Sequence, residues 1–154
     1  MRHHAILAVG SALLLSAAAI GSGVSAASSP SGGSARAGAL VKLVSSRYGR
    51  VVADSHGEAL YLFTKDGRGA SRCYAGCAKA WPPLLTSGAP RAGNGIAASG
   101  LGTKRRPDGT RQVTYRGRPL YYYVGDSPGV ILCQNVNEFG GDWLVVAPNG
   151  KPIR

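Results

Sequence analysis

The longest apolar run lies at the start of the chain. Residues 5–20 are almost all Ala, Leu, Ile and Val, and they lie between Arg2 and a stretch of small residues that ends at Ala26. A basic start, a short apolar stretch and small residues are typical of a secretory signal peptide. We therefore predict export from the cell and a signal peptide over 1–26, with cleavage after Ala26 or, as the alternative, Ala27. The run is shorter than the roughly 20 residues of a membrane span and no second run follows, so we expect no transmembrane segment in the mature chain.

Residues 27–39 contain no bulky apolar side chain. They are Ser, Gly and Ala with one Pro and one Arg. A segment of this composition cannot bury enough surface to offset the entropy lost on folding. We predict a flexible tether over 27–39, followed by a single β-rich domain over 40–154. No Cys lies near the predicted cleavage site, so no lipid-anchored N-terminus is predicted.

Beyond the tether, the hydrophobic pattern repeats at an offset of 60 residues, and 49–66 aligns with 109–126 without a gap. The matched positions are Gly49/Gly109, Gly57/Gly117, Leu60/Leu120, Tyr61/Tyr121, Phe63/Tyr123 and Asp66/Asp126. Cys73 falls on Cys133, and after a slip of two residues Trp81 falls on Trp143. These matches predict two repeats, over about 41–86 and 101–150.

Each repeat has the pattern of a β-hairpin. Segments rich in Val, Leu, Tyr and Phe flank a turn that contains Gly. The predicted strands are 41–44, 50–53 and 59–64 in the first repeat and 111–115, 120–124 and 143–147 in the second. The strand after each turn does not alternate cleanly, so we expect both of its faces to be covered.

The repeats are predicted to differ after the hairpin. Ala-rich helical spacing predicts one short helix near 71–80, which Pro82 and Pro83 end. The equivalent residues 134–142 are predicted to form a loop, and 88–102 a connector rich in Gly and Ala. The predicted fold is therefore mainly β, with two hairpin-based repeats that share one core in an antiparallel sheet.

Each repeat contains a Tyr-x-aromatic-x-x-Asp motif where its second predicted strand ends. The motif residues are Tyr61, Phe63 and Asp66 in the first repeat and Tyr121, Tyr123 and Asp126 in the second. We predict a structural role, with each Tyr in the core and its hydroxyl on a backbone or carboxylate partner, and each Asp accepting backbone N–H groups in the following turn. The alternative is a ligand surface for sugars or apolar chains, formed by Tyr122, Trp81 and Trp143 together with the motif residues Tyr121 and Tyr123.

These motifs resemble a secreted repeat family that is defined by a Tyr-x4-Asp motif and is also described as predicted lipoproteins with a Tyr-x-(Phe/Trp/Tyr)-x-x-Asp motif. The family's Cys-x3-Cys-x3-Trp-Pro-Pro stretch is present at Cys73, Cys77 and 81–83, and its Gly-Gly-x-Trp ending at 140–143. The resemblance covers about 41–150 and implies an exported bacterial β-rich domain of unknown molecular function. It also implies a loose association with alkane catabolism, which no residue of the chain explains.

Three cysteines in an exported chain predict one disulfide and one remaining thiol. The residues alone leave three pairings open: Cys73–Cys77 within the predicted helix, Cys73–Cys133 between equivalent positions, and Cys77–Cys133. The family resemblance implies the first of these. A thiol-based redox or metal-handling protein that uses all three cysteines is the alternative functional hypothesis.

The chain is strongly basic, with 18 Lys and Arg against 7 Asp and Glu, and loss of Arg2 with the signal peptide lowers its formal charge from +11 to +10. Lys104, Arg105 and Arg106 form a predicted basic patch. Such a charge attracts polyanions, although it also serves solubility. Because an exported protein rarely meets nucleic acid, we predict an anionic cell-wall polymer or a membrane surface as the partner, and no nucleic acid.

The sequence predicts no catalytic site. It contains no Gly-x-Ser-x-Gly elbow, no phosphate loop and no His-Glu-x-x-His pair. We expect no catalytic residue, no metal ligand and no cofactor. The functional prediction is an exported, non-enzymatic domain of the bacterial envelope or extracellular space that binds an anionic polymer or a small apolar or sugar ligand.

Overall fold

The computed structural model describes residues 37–154. The predicted signal peptide, and the predicted tether as far as residue 36, lie outside the described residues. The end of the tether is packed, because a Cβ on Gly38 would lie 1.7 Å from the carbonyl oxygen of Ala89 and the N–H of Ala39 donates to Thr86 Oγ1 at 3.0 Å. The folded part therefore begins at least two residues before the predicted boundary at Leu40.

Between residues 37 and 154 the chain forms nine strands, one α-helix and one short 3-10 helix, Ala98–Gly100. The first four strands are β1 (Leu40–Ser46), β2 (Gly49–Asp54), β3 (Tyr61–Phe63) and β4 (Arg91–Ala92). The other five are β5 (Leu101–Arg105), β6 (Arg111–Tyr115), β7 (Arg118–Pro119), β8 (Val136–Glu138) and β9 (Gly141–Val145). Helix α1 (Gly76–Ala80) lies between β3 and β4, which confirms one short helix near 71–80 but shortens it to five residues.

The strands form three sheets of three strands each, in the orders β2-β1-β4, β3-β9-β8 and β5-β6-β7. Their pairings are antiparallel except that of β1 with β4, which is parallel and places Leu40 opposite Arg91. The mainly β fold is thereby confirmed. The predicted antiparallel pairing is present, distributed over three small sheets, one of which also contains a parallel pair.

The two repeats meet at Tyr61 and Tyr121. The backbone N–H of each residue donates to the carbonyl oxygen of the other, at 2.9 and 3.1 Å. Equivalent bonds flank this pair, from the N–H of Leu84 to the carbonyl of Leu120 at 2.9 Å and from the N–H of Val146 to that of Leu60 at 3.2 Å. These reciprocal bonds indicate an approximate two-fold relation between the repeats, with its axis between the two tyrosines.

The two tryptophans, which align only after a slip of two residues in the repeat, begin segments that occupy equivalent places in the structure. Residues 81–84 lie along the second repeat as residues 143–146 lie along the first, with Pro83 opposite Tyr121 and Val145 opposite Tyr61. Proline has no N–H to donate to a ladder. The segment that contains Pro82 and Pro83 therefore forms an isolated bridge, whereas its counterpart forms strand β9.

The predicted hairpins are only partly present. In the first repeat, one bridge between Ala53 and Ala59 joins the two arms, and β3 pairs with β9 of the other repeat. In the second repeat, the predicted strand over 120–124 is wrong, because Tyr121 makes only isolated bridges there. The segment after each turn pairs mainly across the repeat boundary, which a pattern read within one repeat does not reveal.

The prediction of a loop over 134–142 is also wrong. Strands β8 and β9 form a hairpin around Phe139 and Gly140, both of which have positive φ, at +57° and +80°. Positive φ at both central residues is the signature of a type I′ turn. The predicted connector over 88–102 likewise contains strand β4 and the start of β5.

The core consists of two clusters on opposite faces of residues 59–63, which are at most 3% exposed, so both faces of this segment are covered as expected. Leu60 and Leu62 contribute to a mainly aliphatic cluster. Tyr61 and Phe63 contribute to a cluster that contains most of the buried aromatic rings. The motif tyrosines and both tryptophans thus lie in the second cluster, which we call the aromatic core.

Candidate functional site

The tyrosine of each motif forms a hydrogen bond with the aspartate of the other motif. The Tyr61 hydroxyl donates to Asp126 Oδ2 at 2.5 Å, and the Tyr121 hydroxyl donates to Asp66 Oδ2 at 2.6 Å. Both tyrosines are fully buried, and Asp66 is 8% exposed. Each motif therefore supplies its carboxylate to the tyrosine of the other repeat rather than to its own.

The second oxygen of each carboxylate organises the loop that follows it. Asp66 Oδ1 accepts the N–H of Arg72 at 2.7 Å, and Asp126 Oδ1 accepts the N–H of Leu132 at 2.9 Å. In both repeats the acceptor and donor are six residues apart. We call residues 66–72 the first motif loop and residues 126–132 the second motif loop. Each carboxylate thus positions both a buried tyrosine and the motif loop that follows the carboxylate in the chain.

Burial decides the protonation of this network. It raises the pKa of both tyrosine hydroxyls, and the neighbouring carboxylates raise it further, so both hydroxyls remain hydrogen-bond donors at neutral pH. Burial also raises the pKa of Asp66, although its bonds from Tyr121 and from the N–H of Arg72 act in the opposite direction. The two pairs are built as donor–acceptor contacts between a neutral phenol and a carboxyl group.

Four aromatic rings stack through the centre of the molecule in the order Phe63, Trp143, Trp81, Tyr123. The two indoles are parallel within 6°, with centroids 4.1 Å apart, and Phe63 stacks on Trp143 at 4.2 Å. At the other end Tyr123 lies 4.7 Å from Trp81 at a tilt of 41°. The motif aromatics of the two repeats therefore occupy the two ends of one stack.

The predicted ligand surface of Tyr122, Trp81 and Trp143 is wrong for both tryptophans, which have no exposed surface. The indole N–H of Trp81 donates to Glu138 Oε2 at 2.9 Å, and that of Trp143 to the carbonyl oxygen of Glu138 at 3.3 Å. Tyr122 is half-buried against the aliphatic cluster, and its hydroxyl donates to Asp54 at 3.3 Å. These rings stabilise the core instead of forming a binding surface.

Cys73 and Cys77 form a disulfide with a Cα–Cα distance of 5.2 Å, which confirms the pairing that the resemblance implies. Cys133, at the position equivalent to Cys73, is a half-buried free thiol. Two of the three cysteines are thus unavailable for redox or metal chemistry as thiols. Over the part of the chain that the structure describes, no group of three or more His, Cys, Asp and Glu residues is placed to hold a metal ion.

A cleft of about 400 Å³ lies between the first motif loop and the turn that joins β5 to β6. Residues 69–71 and Tyr74 line one side, and residues 104–107 and Gln112 line the other. We call it the first cleft. It combines a cationic side with a tyrosine ring, and each side belongs to a different repeat.

The residues of the predicted basic patch differ in exposure to solvent. Lys104 and Arg105 are exposed at the cleft, but Arg106 is only 5% exposed, so its place in a surface patch is wrong. Arg106 follows β5 at a turn in which its N–H donates to Thr110 O and Gly109 has a φ of +83°. This turn directs the Arg106 side chain inward.

Arg106 binds the first motif loop from the other repeat. Its Nη1 donates to Ser71 Oγ at 3.0 Å and to Gln112 Oε1 at 2.7 Å, and its Nη2 donates to the carbonyl oxygen of Cys73 at 2.9 Å. The guanidinium also lies 4.5 Å from the ring centroid of Tyr74. Its buried Nε has no hydrogen-bond acceptor among the described residues.

A second cleft of about 290 Å³ occupies the equivalent place on the other side of the two-fold axis. It lies between the second motif loop and the turn that joins β1 to β2, and it is lined by Ser46, Arg47, Gly129, Val130, Ile131 and Leu132. Arg47 Nη2 donates to Ile131 O at 2.7 Å, as Arg106 donates to the carbonyl of Cys73. Arg47 is exposed, however, and most of the other residues of this cleft are apolar.

Sequence reasoning missed the contributions of Ser71, Tyr74 and Gln112 to the first cleft. These residues are separated by up to 41 positions and have no common motif. The available signal was the offset of 60, which relates Arg106 to Ser46 and the β5–β6 turn to the β1–β2 turn. It indicates two related surfaces but not the side chains that line them.

Comparison with known proteins gives one match. A family model described as a secreted repeat of unknown function matches residues 42–85 and again residues 102–147. No curated protein and no solved structure matches the chain. Over residues 37–154, no helix has the length and apolar character needed to cross a membrane.

Proposed function

The chain belongs to the family of secreted repeats of unknown function, and from this premise we propose that it is an exported, non-enzymatic binding domain that holds an anionic polymer of the cell envelope. Export would use the signal peptide predicted over 1–26. Edman sequencing of the protein recovered from the producing cells tests this part of the proposal. An N-terminus at Ala27 is expected, and a protein that retains Met1 would contradict it.

The distribution of charge supports the binding proposal most strongly. Of the sixteen Lys and Arg residues between 37 and 154, thirteen are exposed. Of the seven Asp and Glu residues in the same range, only Asp108 and Glu138 are exposed. The solvent-facing surface is therefore far more one-sided than the composition alone requires, and such a surface attracts polyanions over distances of about 10 Å at moderate salt.

The acidic residues are fewer at the surface because the fold uses them internally. Asp66 and Asp126 accept the exchanged tyrosine hydroxyls. Asp54 Oδ1 accepts the N–H groups of His56 and Glu58, both at 2.9 Å. A carboxylate that accepts internal donors offers less to external cations, and it leaves the basic residues around it without acidic neighbours at the surface.

We further propose that the Tyr-x-aromatic-x-x-Asp motif acts in folding and does not contact the polymer. Its tyrosines are fully buried, and its carboxylates bind protein hydroxyl and N–H groups. A buried donor that loses its acceptor costs about 1–3 kcal/mol. The motif residues therefore set the stability of the domain, and the polymer meets the exposed basic side chains.

Retention on immobilised poly(glycerol phosphate) tests the proposed function. We expect the protein to be retained at low salt and released as salt rises from about 50 to 200 mM, because polymer-bound counterions are displaced on binding. Beads that bear uncharged dextran are the matched control. A protein that passes through both columns at low salt, or that is retained equally by both, contradicts the proposal.

A further inference from the structure

We propose that the first cleft is a specific site for one oxyanion group, a phosphate or a carboxylate carried on a small sugar or polyol unit. This inference rests on the proposed function and deepens it, since it names the place where a unit of the anionic polymer would dock. It differs from attraction by the whole basic surface in requiring particular residues. The same chemistry could come from a free small anion, so the test below separates the two sources.

Arg106 is a buried positive charge without an acidic hydrogen-bond partner. Arg106 is 5% exposed, and its hydrogen bonds go to a hydroxyl, an amide oxygen and a backbone carbonyl. Removal of a guanidinium from water is costly unless a negative charge compensates it. The Asp66 carboxylate influences Arg106 only at a distance, because both of its oxygens bind other donors. The exposed Asp108 carboxylate also influences Arg106 without a hydrogen bond to it, because its Oδ1 accepts from Thr110. An anion in the adjacent cleft would supply the missing compensation.

Two cationic side chains supply hydrogen-bond donors to the first cleft. Lys104 and Arg105 are exposed there and both line it. Ser71 is half-buried on the facing side, where its hydroxyl is held by Arg106 Nη1 at 3.0 Å and by the Tyr121 hydroxyl at 2.7 Å. Charged donors make the strongest hydrogen bonds to phosphate and carboxylate oxygens. The cleft therefore presents cationic donors above a floor that is itself positively charged.

The size and the lining of the first cleft fit a small group that carries the anion. The cleft volume of about 400 Å³ lies within the range of small-molecule sites, about 300–1,000 Å³. The Tyr74 ring, which is 38% exposed and lies against the Arg106 guanidinium, forms an aromatic wall. A sugar or polyol unit can pack on such a ring while its anionic oxygens reach the cations opposite.

The second cleft provides an internal comparison. There Arg47 donates to the carbonyl oxygen of Ile131 while remaining exposed, and Ile131 stands at the position of Ser71 at the offset of 60. Connection of a turn to a motif loop therefore requires neither a buried arginine nor neighbouring cations. The buried Arg106 and the neighbouring cations of the first cleft are therefore not needed for the fold, and we assign them to binding.

The test uses the full mature chain and two matched double variants. Lys104→Ala/Arg105→Ala removes two exposed charges from the first cleft. Lys79→Ala/Arg154→Ala removes one Lys and one Arg that are also exposed and line neither cleft. Both variants should keep the melting temperature of the parent, because surface substitutions of this kind change stability little. Glycerol phosphate, inorganic phosphate and acetate are titrated into each protein by calorimetry, and each protein is run on poly(glycerol phosphate) beads.

We expect glycerol phosphate to bind the parent, the cleft variant to lose about tenfold in affinity and the control variant to stay within about twofold, since one charge-assisted hydrogen bond is worth roughly such a factor. Inorganic phosphate binding with the same dependence on Lys104 and Arg105 would assign the site to the free anion. Equal losses of affinity in both variants, or no binding of any probe, would contradict the proposal of an oxyanion site in the first cleft. Polymer retention that depends equally on both pairs would leave the proposed function standing and remove only the cleft, whereas absence of retention would remove the proposed function itself.

Discussion

The two repeats agree in the interior and differ at the surface that follows the motif loops. In both, a tyrosine hydroxyl binds the aspartate of the other repeat, and an indole stacks on a motif aromatic. After the first motif loop, however, the chain forms a disulfide and helix α1, and after the second it forms the β8–β9 hairpin. The first cleft is cationic and the second mostly apolar.

This difference indicates which parts of the repeats serve folding and which serve binding. The equivalent residues face each other across the two-fold axis, where a change in one repeat must fit the other. The loops and turns at the two clefts also connect the repeats, but they do so through different contacts, from Arg106 to Ser71 and Cys73 in the first cleft and from Arg47 to Ile131 in the second. We therefore place folding in what the repeats share and binding in what distinguishes them.

The largest expected effects are those of Trp81→Ala and Trp143→Ala. Each removes a fully buried indole from the aromatic core, at a cost of about 3–5 kcal/mol in the free energy of unfolding. Because the two rings are equivalent, the two costs should agree within about 1 kcal/mol, measured by urea denaturation. Trp81→Phe and Trp143→Phe serve as milder variants if the alanine variants do not fold. A large difference between the members of either pair would break the equivalence of the repeats.

Next in size are Asp66→Ala and Asp126→Ala. Each removes the acceptor of one backbone N–H and the carboxylate partner of a buried tyrosine hydroxyl, although Ser71 Oγ remains 2.7 Å from the Tyr121 hydroxyl in Asp66→Ala. A buried donor left without an acceptor costs about 1–3 kcal/mol. Asp66→Ala should cost more, because Asp66 is buried and Asp126 is half-buried. Thermal unfolding measures both effects. An unchanged melting temperature for Asp126→Ala would refute the structural role of the motif.

The stability difference between the parent and Asp66→Asn should depend on pH. Burial raises the pKa of Asp66 above its ordinary value of 3.8, so the folded state holds this proton more tightly than the unfolded state. The resulting stabilisation is fully present below the unfolded pKa and is lost as pH rises through the folded pKa. The parent should therefore lose stability relative to Asp66→Asn as pH rises from about 3 to 8 in urea titrations. A relative gain over that range would mean that the carboxylate is favoured by the fold.

The smallest expected effect is a gain in stability from Phe139→Asn. Phe139 is 47% exposed and occupies the first central position of the type I′ turn between β8 and β9, where asparagine is preferred. Relief of its positive φ should raise the free energy of unfolding by about 0.5–1 kcal/mol. The equivalent change at the other such turn, Arg116→Asn, is the comparison. A loss of stability in Phe139→Asn would show that the exposed ring makes a stabilising contact.

The sequence predicted the features that depend on local pattern and on the repeat. These include the mainly β fold, the short helix and the coverage of both faces of residues 59–63. It failed where pairing partners lie in the other repeat, since the exchange between Tyr61 and Asp126 spans 65 positions. It also placed Arg106 in a surface patch, because adjacency to Lys104 and Arg105 does not reveal that the turn after β5 directs the third side chain inward.

The central claim is that the motif joins the two repeats, and a double-mutant cycle tests it most directly. Tyr61→Phe and Asp126→Ala are measured singly and together by urea denaturation, beside the same cycle for Tyr61→Phe and Asp66→Ala, which lie in one motif but share no hydrogen bond. The account predicts a coupling of about 1–2 kcal/mol for the pair that spans the repeats and a coupling near zero for the pair within one motif. Additive costs across the repeats, or a larger coupling within the motif, would contradict it.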